Sequence, residues 1–166
     1  MTYYDEISEG YDELHSAEQH QKLSVILVNL PEGFEPGPDQ NLLDVGCGTG
    51  ISTTFWNCHT TGIDPSDKLI ELAKNKYPAA EFKVGIAESI SFPDHHFDIV
   101  ISLTAIQNFK DIPKGLDEIR RVGNDRFILT FLKKSKKADS IEQEIGMRFT
   151  LVKQVEEDRD TILFCR

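Results

Sequence analysis

A glycine-rich turn directly after a strongly apolar run constrains the fold of this chain more than any other feature of its sequence. Residues 42–50 read Leu-Leu-Asp-Val-Gly-Cys-Gly-Thr-Gly. Glycine permits positive φ and close approach of the backbone to a ligand, and the free amides of a helix that follows such a turn face carboxylate or phosphate groups. The pattern predicts a buried strand that ends in a nucleotide-type loop. Its spacing is GxGxG, whereas dinucleotide folds carry GxGxxG.

After residue 40, short apolar runs alternate with helical segments, which is typical of βαβ units around a parallel sheet. The predicted strands are residues 41–45, 60–64, 81–84, 98–102 and 126–131, and the predicted helices are residues 52–56, 66–76, 113–122 and 138–147. Gly123 is expected to end the third of these helices as a C′ residue. Residues 149–155 and 161–165 flank a polar turn, which predicts an antiparallel hairpin at the sheet edge.

Two amphipathic helices are predicted before residue 31, and Gly10 is expected to interrupt the first. Their apolar positions are Tyr4, Ile7, Tyr11 and Leu14, then Leu23, Ile26, Leu27 and Leu30. Residues 31–39, with three prolines and two glycines, resemble a linker. The expected organisation is a single domain, residues 1–166, in which a helical cap at 1–30 precedes a core at 40–166.

Charge and cysteine content exclude several functions. The net charge of -10 disfavours general affinity for nucleic acid, although residues 110–137 carry nine Lys and Arg against four Asp and Glu. Three cysteines without CxxC or Cys/His spacing argue against a disulfide framework and against a metal site. No apolar run approaches a membrane span, and the acidic N-terminus is unlike a signal peptide, so a cytoplasmic location is expected.

Two carboxylates, Asp44 and Asp64, narrow the class of ligand that the glycine loop can bind. Asp44 would repel a pyrophosphate but attract an α-ammonium group, which favours a nucleoside joined to a cationic amino acid, namely S-adenosylmethionine. Asp64 ends the next predicted strand, where a carboxylate can accept both ribose hydroxyls. Two alternatives stay open: the turn is purely structural, or Asp64 is a helix N-cap.

Residues 42–50, together with Gly62-Ile63-Asp64-Pro65-Ser66, resemble the class I S-adenosylmethionine-dependent methyltransferases of the small methyltransferase-domain type. The resemblance implies a Rossmann-like, mostly parallel seven-stranded sheet with helices on both faces, a three-layer α/β/α fold. Its implied strand order is 3-2-1-4-5-7-6, with only the last inserted strand antiparallel. The cofactor-binding residues it implies are Asp44, Gly46, Cys47, Gly48, Gly50, Asp64, Pro65, Ile86, Ala87, Glu88, Ser102 and Tyr11.

The chain departs from the family pattern in two places. Ile86 stands where relatives carry the aspartate that accepts the adenine amino group, so the adenine contact would come from the Ala87 amide, the apolar surface of Ile86, or Glu88. The helix after Gly50 is also about one turn shorter than in most relatives. His95 and His96 lie in a polar turn and are expected to be solvated.

The segment after the fourth strand is where the family contacts the methyl acceptor, and Thr104, Gln107 and Asn108 are its candidate acceptor residues. Alternatively, Gln107 and Asn108 are ordinary amides on a helix surface. An Asn/Asp-Pro-Pro-Tyr/Phe motif is missing, which disfavours adenine N6 and glutamine as acceptors, and no catalytic base is identified. A small-molecule acceptor is favoured, while RNA or protein stays possible because Lys133, Lys134, Lys136 and Lys137 follow the fifth strand.

These features predict a methyltransferase that releases S-adenosylhomocysteine. The alternative is a catalytically silent S-adenosylmethionine-binding subunit that needs an activating partner protein, and an NAD-dependent oxidoreductase is disfavoured by the GxGxG spacing. The first helix resembles the tyrosine-aspartate segment that covers the cofactor in relatives, so a lid role is expected for residues 1–14. A permanently docked helix is the alternative.

Overall fold

Seven strands and four α-helices make up the described part of the chain. The structure is a computed structural model that describes the backbone of residues 8–166 and the side chains of residues 16–166. The strands are β1 (Asn41–Val45), β2 (His59–Asp64), β3 (Glu81–Val84), β4 (Phe97–Ser102), β5 (Gly123–Leu132), β6 (Leu151–Glu156) and β7 (Asp160–Cys165). The helices are α1 (Ser8–Asn29), α2 (Asp67–Lys76), α3 (Ile112–Val122) and α4 (Ala138–Arg148), with a 3-10 turn at Ile106–Asn108.

The strands form one sheet in the order β3-β2-β1-β4-β5-β7-β6. Neighbouring strands from β3 to β5 pair in parallel, whereas β7 pairs antiparallel with both β5 and β6. The predicted order and the single antiparallel strand are therefore confirmed. As a result, the carboxyl ends of β1, β2, β4 and β5 share one edge of the sheet with Asp160, the first residue of β7, which pairs with Leu132.

Successive residues of the central strands divide between two apolar cores, because side chains alternate across a sheet. Leu43 and Val100 belong to the core that α3 and α4 cover, whereas Leu42 and Ile99 belong to the core that α1 covers. Leu116 and Ile119 of α3 are fully buried, as is Leu23 of α1. Helices therefore cover both faces, as the three-layer prediction requires.

The prediction of two N-terminal helices was wrong, because α1 is one helix that continues through Gly10. Residues 15–22 contain neither proline nor glycine, so nothing stops the helix between the two apolar groups. One glycine in a helix costs about 1 kcal/mol, which burial of Leu23 and Ile26 further along α1 offsets. Tyr4 and Ile7 lie outside the described residues, as do the side chains of Tyr11 and Leu14.

The proline-rich stretch at residues 31–39 is a packed loop instead of a linker. Phe34 is fully buried and meets Phe164 of β7 edge to face, with 6.0 Å between the ring centroids. Nη1 of Arg126, a buried residue of β5, donates to the carbonyls of Gly33, Phe34 and Glu35 at 3.2–3.3 Å. The loop therefore fixes the end of α1 against the sheet.

Two further predictions were wrong in detail. Residues 52–56 form turns instead of a helix, because the Ser52 and Thr53 hydroxyls are drawn to the carboxylate of Asp44. Gly123 directly follows α3, as predicted, and its amide donates to the Ile119 carbonyl, but its backbone is extended, with φ at -91°, instead of left-handed, and it also begins β5. None of the described helices is long and apolar enough to span a bilayer.

Candidate cofactor and acceptor site

The glycine loop lies at the carboxyl end of β1 and is tied to the end of β2. Gly46, Gly48 and Gly50 have φ values of 80°, 56° and 92°, a region open mainly to glycine. The amides of Gly46 and Cys47 both donate to the carbonyl of Ile63, at 2.8 and 3.0 Å. The loop therefore has the left-handed backbone that its sequence predicts, held in one place by its neighbour strand.

Asp64 connects this loop to the start of α2. Its Oδ2 accepts from the Gly48 amide at 3.0 Å, and its Oδ1 accepts from the Ser66 amide at 2.9 Å. The N-cap of α2 is Ser66, whose side chain accepts from the Leu69 amide. Asp64 is therefore not the N-cap that the alternative interpretation required, and Pro65 between the two residues is exposed.

Asp44 places a second carboxylate beneath the loop. It is fully buried, and its Oδ2 accepts from Ser52 Oγ at 2.6 Å and Thr53 Oγ1 at 2.9 Å. Its Oδ1 is buried without a hydrogen-bond partner among the described residues. Burial raises the pKa of Asp44 to about 6; the two hydroxyls oppose this shift, and the negative charge of Asp64 adds to it. Two carboxylates, one of which has an acceptor oxygen without a partner among the described residues, therefore lie at the glycine loop.

Two of the expected cofactor side chains are instead used to hold the loop together. Cys47 is buried, and a Cβ on Gly62 would lie only 2.8 Å from its Sγ, so the thiol packs directly on β2. Ser102 is fully buried at the end of β4, and its Oγ donates to the carbonyl of Val45 at 2.8 Å. These side chains set the spacing of β1 against its neighbours, and the Cys47 carbonyl adds to the loop by accepting from the Gly50 amide at 3.0 Å.

The three adenine candidates after β3 have different surroundings. Ala87 is buried in the core that α3 covers. Glu88 Oε1 accepts from the amide of Asp111, the N-cap of α3, at 3.0 Å. Ile86 is 45% exposed. An apolar side chain is therefore the most available of the three surfaces.

The candidate acceptor segment packs on the glycine loop. A Cβ on Gly46 would lie 2.5 Å from the Cβ of Ala105, so these two residues are in direct contact. Thr104, one residue earlier, has φ at 56°, which is unfavourable for a β-branched residue. Gln107 is half-buried, and its Nε2 donates to the Thr104 carbonyl at 2.8 Å, whereas Asn108 is exposed. Of the two amides, only Asn108 has the surface position of the alternative interpretation.

A buried ion pair between α1 and β7 holds Thr104 in this conformation, and sequence reasoning missed it. Lys22 Nζ lies 3.1 Å from Asp160 Oδ2, and both side chains are at most 7% exposed. Thr104 Oγ1 and Thr130 Oγ1 donate to the same carboxylate oxygen, at 2.6 and 2.9 Å, and Lys22 also bonds Thr104 Oγ1. Lys22 is the only Lys or Arg among the first 50 residues, a signal that could have identified it.

The remaining candidates lie outside this cluster or outside the described residues. Lys134, Lys136 and Lys137 are exposed, and Lys137 Nζ donates to the Gln107 carbonyl at 3.2 Å. His95 and His96 are exposed in the turn before β4, at the opposite edge of the sheet. The Tyr11 side chain is not described. Among residues 16–166, no three His, Cys, Asp or Glu side chains are grouped so that they could hold a metal ion.

Comparison with known proteins identifies relatives of this chain. A family model described as a methyltransferase domain matches residues 43–126, half of the chain. A demethylmenaquinone methyltransferase of Symbiobacterium thermophilum is 33% identical over 134 residues, covering 72% of this chain and 52% of the relative. The chain thus spans about half the length of that relative.

Two solved structures share the fold over almost the whole chain. The PH0226 protein of Pyrococcus horikoshii OT3 superposes with a TM-score of 0.83 at 19% identity, covering 100% of this chain and 99% of that one. A chain of the complex formed with the Haloferax volcanii methyltransferase activator superposes with a TM-score of 0.82 at 15% identity, covering 99% and 97%. At these identities the likeness concerns the fold alone.

Proposed function

Because this chain belongs to the class I S-adenosylmethionine-dependent methyltransferases, we propose that it transfers a methyl group from S-adenosylmethionine to an acceptor and releases S-adenosylhomocysteine. Family membership rests on the domain match over residues 43–126. The activity is a proposal about this chain in particular, since its match covers only 52% of the demethylmenaquinone methyltransferase of Symbiobacterium thermophilum. It is supported by the chemistry of the residues around the glycine loop.

One observation carries the cofactor assignment: the unpartnered Oδ1 of Asp44. A buried acceptor atom without a donor costs about 1–3 kcal/mol, so it persists where a ligand completes it. The α-ammonium group of the methionine part is a charged donor of the kind that this oxygen lacks. A pyrophosphate would instead meet the carboxylates of Asp44 and Asp64, which argues for an amino-acid nucleoside and against a dinucleotide.

The loop backbone and Asp64 would complete the cofactor site. The left-handed backbone of Gly46 and Gly48 allows close approach of a ligand, since a glycine has no Cβ to obstruct it. Asp64 accepts from two backbone amides, and a carboxylate has about four lone-pair positions, so we propose that it also accepts from the ribose hydroxyls. Ile86 would offer an apolar surface to the adenine ring. When bound, the sulfonium supplies an electrophilic methyl carbon.

The residues proposed to act on the acceptor work by positioning. Thr104 and Gln107 lie beside the glycine loop, next to Ala105, which touches Gly46. Methyl transfer is an in-line displacement, so orientation and exclusion of water can supply much of its catalysis. We assign no general base. A small-molecule acceptor is favoured, because the Symbiobacterium thermophilum relative is a demethylmenaquinone methyltransferase and its name refers to a small molecule.

The second candidate function is an S-adenosylmethionine-binding subunit that becomes active only with a partner protein. The structural neighbour from the Haloferax volcanii activator complex favours it, because this chain and that one match over nearly their full lengths. The two candidates share the cofactor site and differ in whether the purified chain turns over alone.

The proposal also includes an organisation and a location. Residues 1–30 would cap a Rossmann-like core at 40–166 within one domain, and Lys22 and Leu23 of α1 are the buried contacts that support this arrangement. A reducing, cytoplasmic compartment agrees with three unpaired cysteines, Cys47, Cys58 and Cys165.

The activity is tested by incubating the purified chain with S-adenosylmethionine and separate pools of phenols, amines and carboxylic acids, and by measuring S-adenosylhomocysteine by mass spectrometry. We expect product with at least one pool and a large loss in Asp44→Asn. Asp39→Asn, an exposed aspartate in the loop before β1, is the matched control and should keep full turnover. Cofactor binding without turnover, restored by a cell extract, would establish the partner-dependent alternative instead.

A further inference from the structure

The carboxylate of Asp160 has an uneven set of partners. Its Oδ2 receives three donors, from Lys22, Thr104 and Thr130, whereas its Oδ1 is buried with no hydrogen-bond partner among the described residues. The residue itself is fully buried. Three donors on one oxygen fix the orientation of the carboxylate, so the empty Oδ1 has a fixed direction as well.

Gln107 repeats this asymmetry on the other side of Thr104. Its Nε2 donates to the Thr104 carbonyl at 2.8 Å, and its Oε1 is buried without a partner in the described part of the chain. That donation fixes which end of the amide is the oxygen. Thr104 is therefore held between two side chains, each of which carries an unmet acceptor oxygen.

A third unmet acceptor comes from α1. Gln19 Oε1 is also buried without a partner among residues 16–166. Gln19 precedes Lys22 by three residues, a spacing that places both on one side of a helix. Lys22 reaches Asp160 and Thr104, so the face of α1 that carries Gln19 is turned toward this cluster.

From these atoms we infer a recognition subsite for the methyl acceptor, built from Asp160 Oδ1 and Gln107 Oε1, that selects acceptors bearing a hydroxyl or amine hydrogen. The inference rests on the proposed function and adds the chemical class of the acceptor. The subsite borders the cofactor loop, because Ala105, between Thr104 and Gln107, touches Gly46. A hydroxyl or amine donates hydrogen to an oxygen that otherwise has no partner.

A carboxylate or phosphate acceptor fits these atoms poorly. An anion would bring its own acceptor oxygens against those of Asp160 and Gln107. The cations that touch these two residues already have partners, because Lys22 pairs with Asp160 Oδ2 at 3.1 Å and Lys137 Nζ donates to the Gln107 carbonyl at 3.2 Å. A site whose buried oxygens require donors rejects a ligand that has none, because those oxygens would be left unpaired.

The test uses three small probes that differ in their head group: ethylammonium, ethanol and acetate. Each is titrated into the full chain, with and without saturating S-adenosylhomocysteine, while amide NMR signals are followed. We expect saturable shifts at Thr104 and Gln107 with ethylammonium or ethanol, and acetate binding weaker by about tenfold or more. Comparing the first two probes shows whether amines or hydroxyls are preferred.

Variants assign the effect to the two oxygens. In Asp160→Asn the amide oxygen should take the place of Oδ2, which accepts from the three donors. The amide nitrogen then takes the place of Oδ1, so the subsite presents a donor where it had an acceptor. The binding preference of the chain should therefore shift toward acetate. Gln107→Met removes the other oxygen, leaves the Lys22–Asp160 pair intact, and should weaken ethylammonium or ethanol binding even if Asp160→Asn fails to fold. The control Asp158→Asn changes an exposed aspartate in the turn between β6 and β7, and this variant should bind the probes as the parent chain does.

Two results would overturn the proposed subsite. One is that acetate binds as tightly as the other probes, and the other is that neither ethylammonium nor ethanol causes a saturable shift. S-adenosylhomocysteine binding, measured separately by calorimetry, shows whether the proposed function itself fails. The probe titrations on the ligand-free chain give their answer in either case.

Discussion

The Gly48 amide donates to Asp64 Oδ2 across 3.0 Å, which joins the glycine loop of β1 to the end of β2. The carboxylate proposed to hold the ribose thus also fixes the loop that would hold the methionine part. A single side chain therefore couples two halves of the cofactor site. Loss of this carboxylate is expected to change both the affinity for the cofactor and the stability of the loop.

Replacing Asp64 by alanine should weaken S-adenosylhomocysteine binding by about 1.5–3 kcal/mol or more, because charge-assisted hydrogen bonds are lost. It should also lower the free energy of unfolding by about 1–3 kcal/mol, since the Gly48 and Ser66 amides lose their acceptor. Calorimetry and thermal melting measure the two effects. The exposed Asp67, in the first turn of α2, supplies the control Asp67→Ala, and equal affinities in both variants would contradict the ribose role.

Replacing Asp44 by asparagine should stabilise the chain and weaken its cofactor binding. Burial raises the pKa of Asp44 to about 6 from an ordinary 3.8, so at neutral pH the folded state holds a carboxylate that is more stable in water. The shift in pKa corresponds to a cost of about 2–3 kcal/mol in the free energy of unfolding. We expect the variant to recover roughly 1–2 kcal/mol of that cost at pH 7. S-adenosylhomocysteine affinity should fall tenfold or more. Unchanged affinity would remove Asp44 from the site.

The same carboxylate predicts two dependences on pH. Because its folded pKa is raised, the free energy of unfolding should decrease as pH rises from about 4 to about 6. Binding of an ammonium group needs the ionised form, so S-adenosylhomocysteine affinity should fall as pH drops below about 6, by up to about tenfold per pH unit. Calorimetry between pH 5 and pH 8 measures this, at roughly half-unit steps. Asp44→Asn should show a flatter profile.

Two glycine-to-alanine changes should have opposite effects. Gly46→Ala introduces a Cβ 2.5 Å from Ala105 at a φ of 80°, so it should destabilise the fold by more than 1 kcal/mol and displace the acceptor segment. Gly146→Ala lies on an exposed face of α4 with nothing within 4 Å of the new Cβ, and should stabilise by about 0.5–1 kcal/mol. Chemical denaturation distinguishes them. Equal stabilities would show that the contact between Gly46 and Ala105 is not tight.

Deleting residues 1–14 should leave a folded chain that binds the cofactor more weakly and turns over little. The buried anchors of α1, Lys22, Leu23 and Ile26, remain after the deletion. A lid excludes water from the sulfonium, so its loss should act mainly on binding and turnover. Unfolding of the truncated chain would favour the permanently docked helix, and full affinity with full activity would contradict both roles.

The fold was predictable because its signals are local. Residues 42–50 specify a strand and a left-handed loop through apolar side chains and glycines within nine positions. The strand order came from the family resemblance, and the sheet confirms it. The sequence of residues 52–56 is compatible with a helix, but the structure has turns there. The hydrogen bonds from Ser52 and Thr53 to Asp44, eight and nine residues away, cannot be predicted from local sequence.

The Lys22–Asp160 pair could not be predicted in the same way. Its partners are separated by more than one hundred residues, and only packing of α1 against β7 brings them together. Thr104 was a candidate from its place after β4, but its positive φ depends on that distant pair and on Thr130. Contacts that depend on tertiary packing leave little trace in spacing or composition.

Calorimetric titration of the purified chain with S-adenosylhomocysteine, and separately with NAD, tests the central claim most directly. We predict saturable binding of S-adenosylhomocysteine and none of NAD, together with a rise of roughly 5–10 °C in melting temperature at about one hundred times the dissociation constant. Binding of NAD without binding of S-adenosylhomocysteine would contradict the claim, because the GxGxG loop and Asp44 would then hold a pyrophosphate.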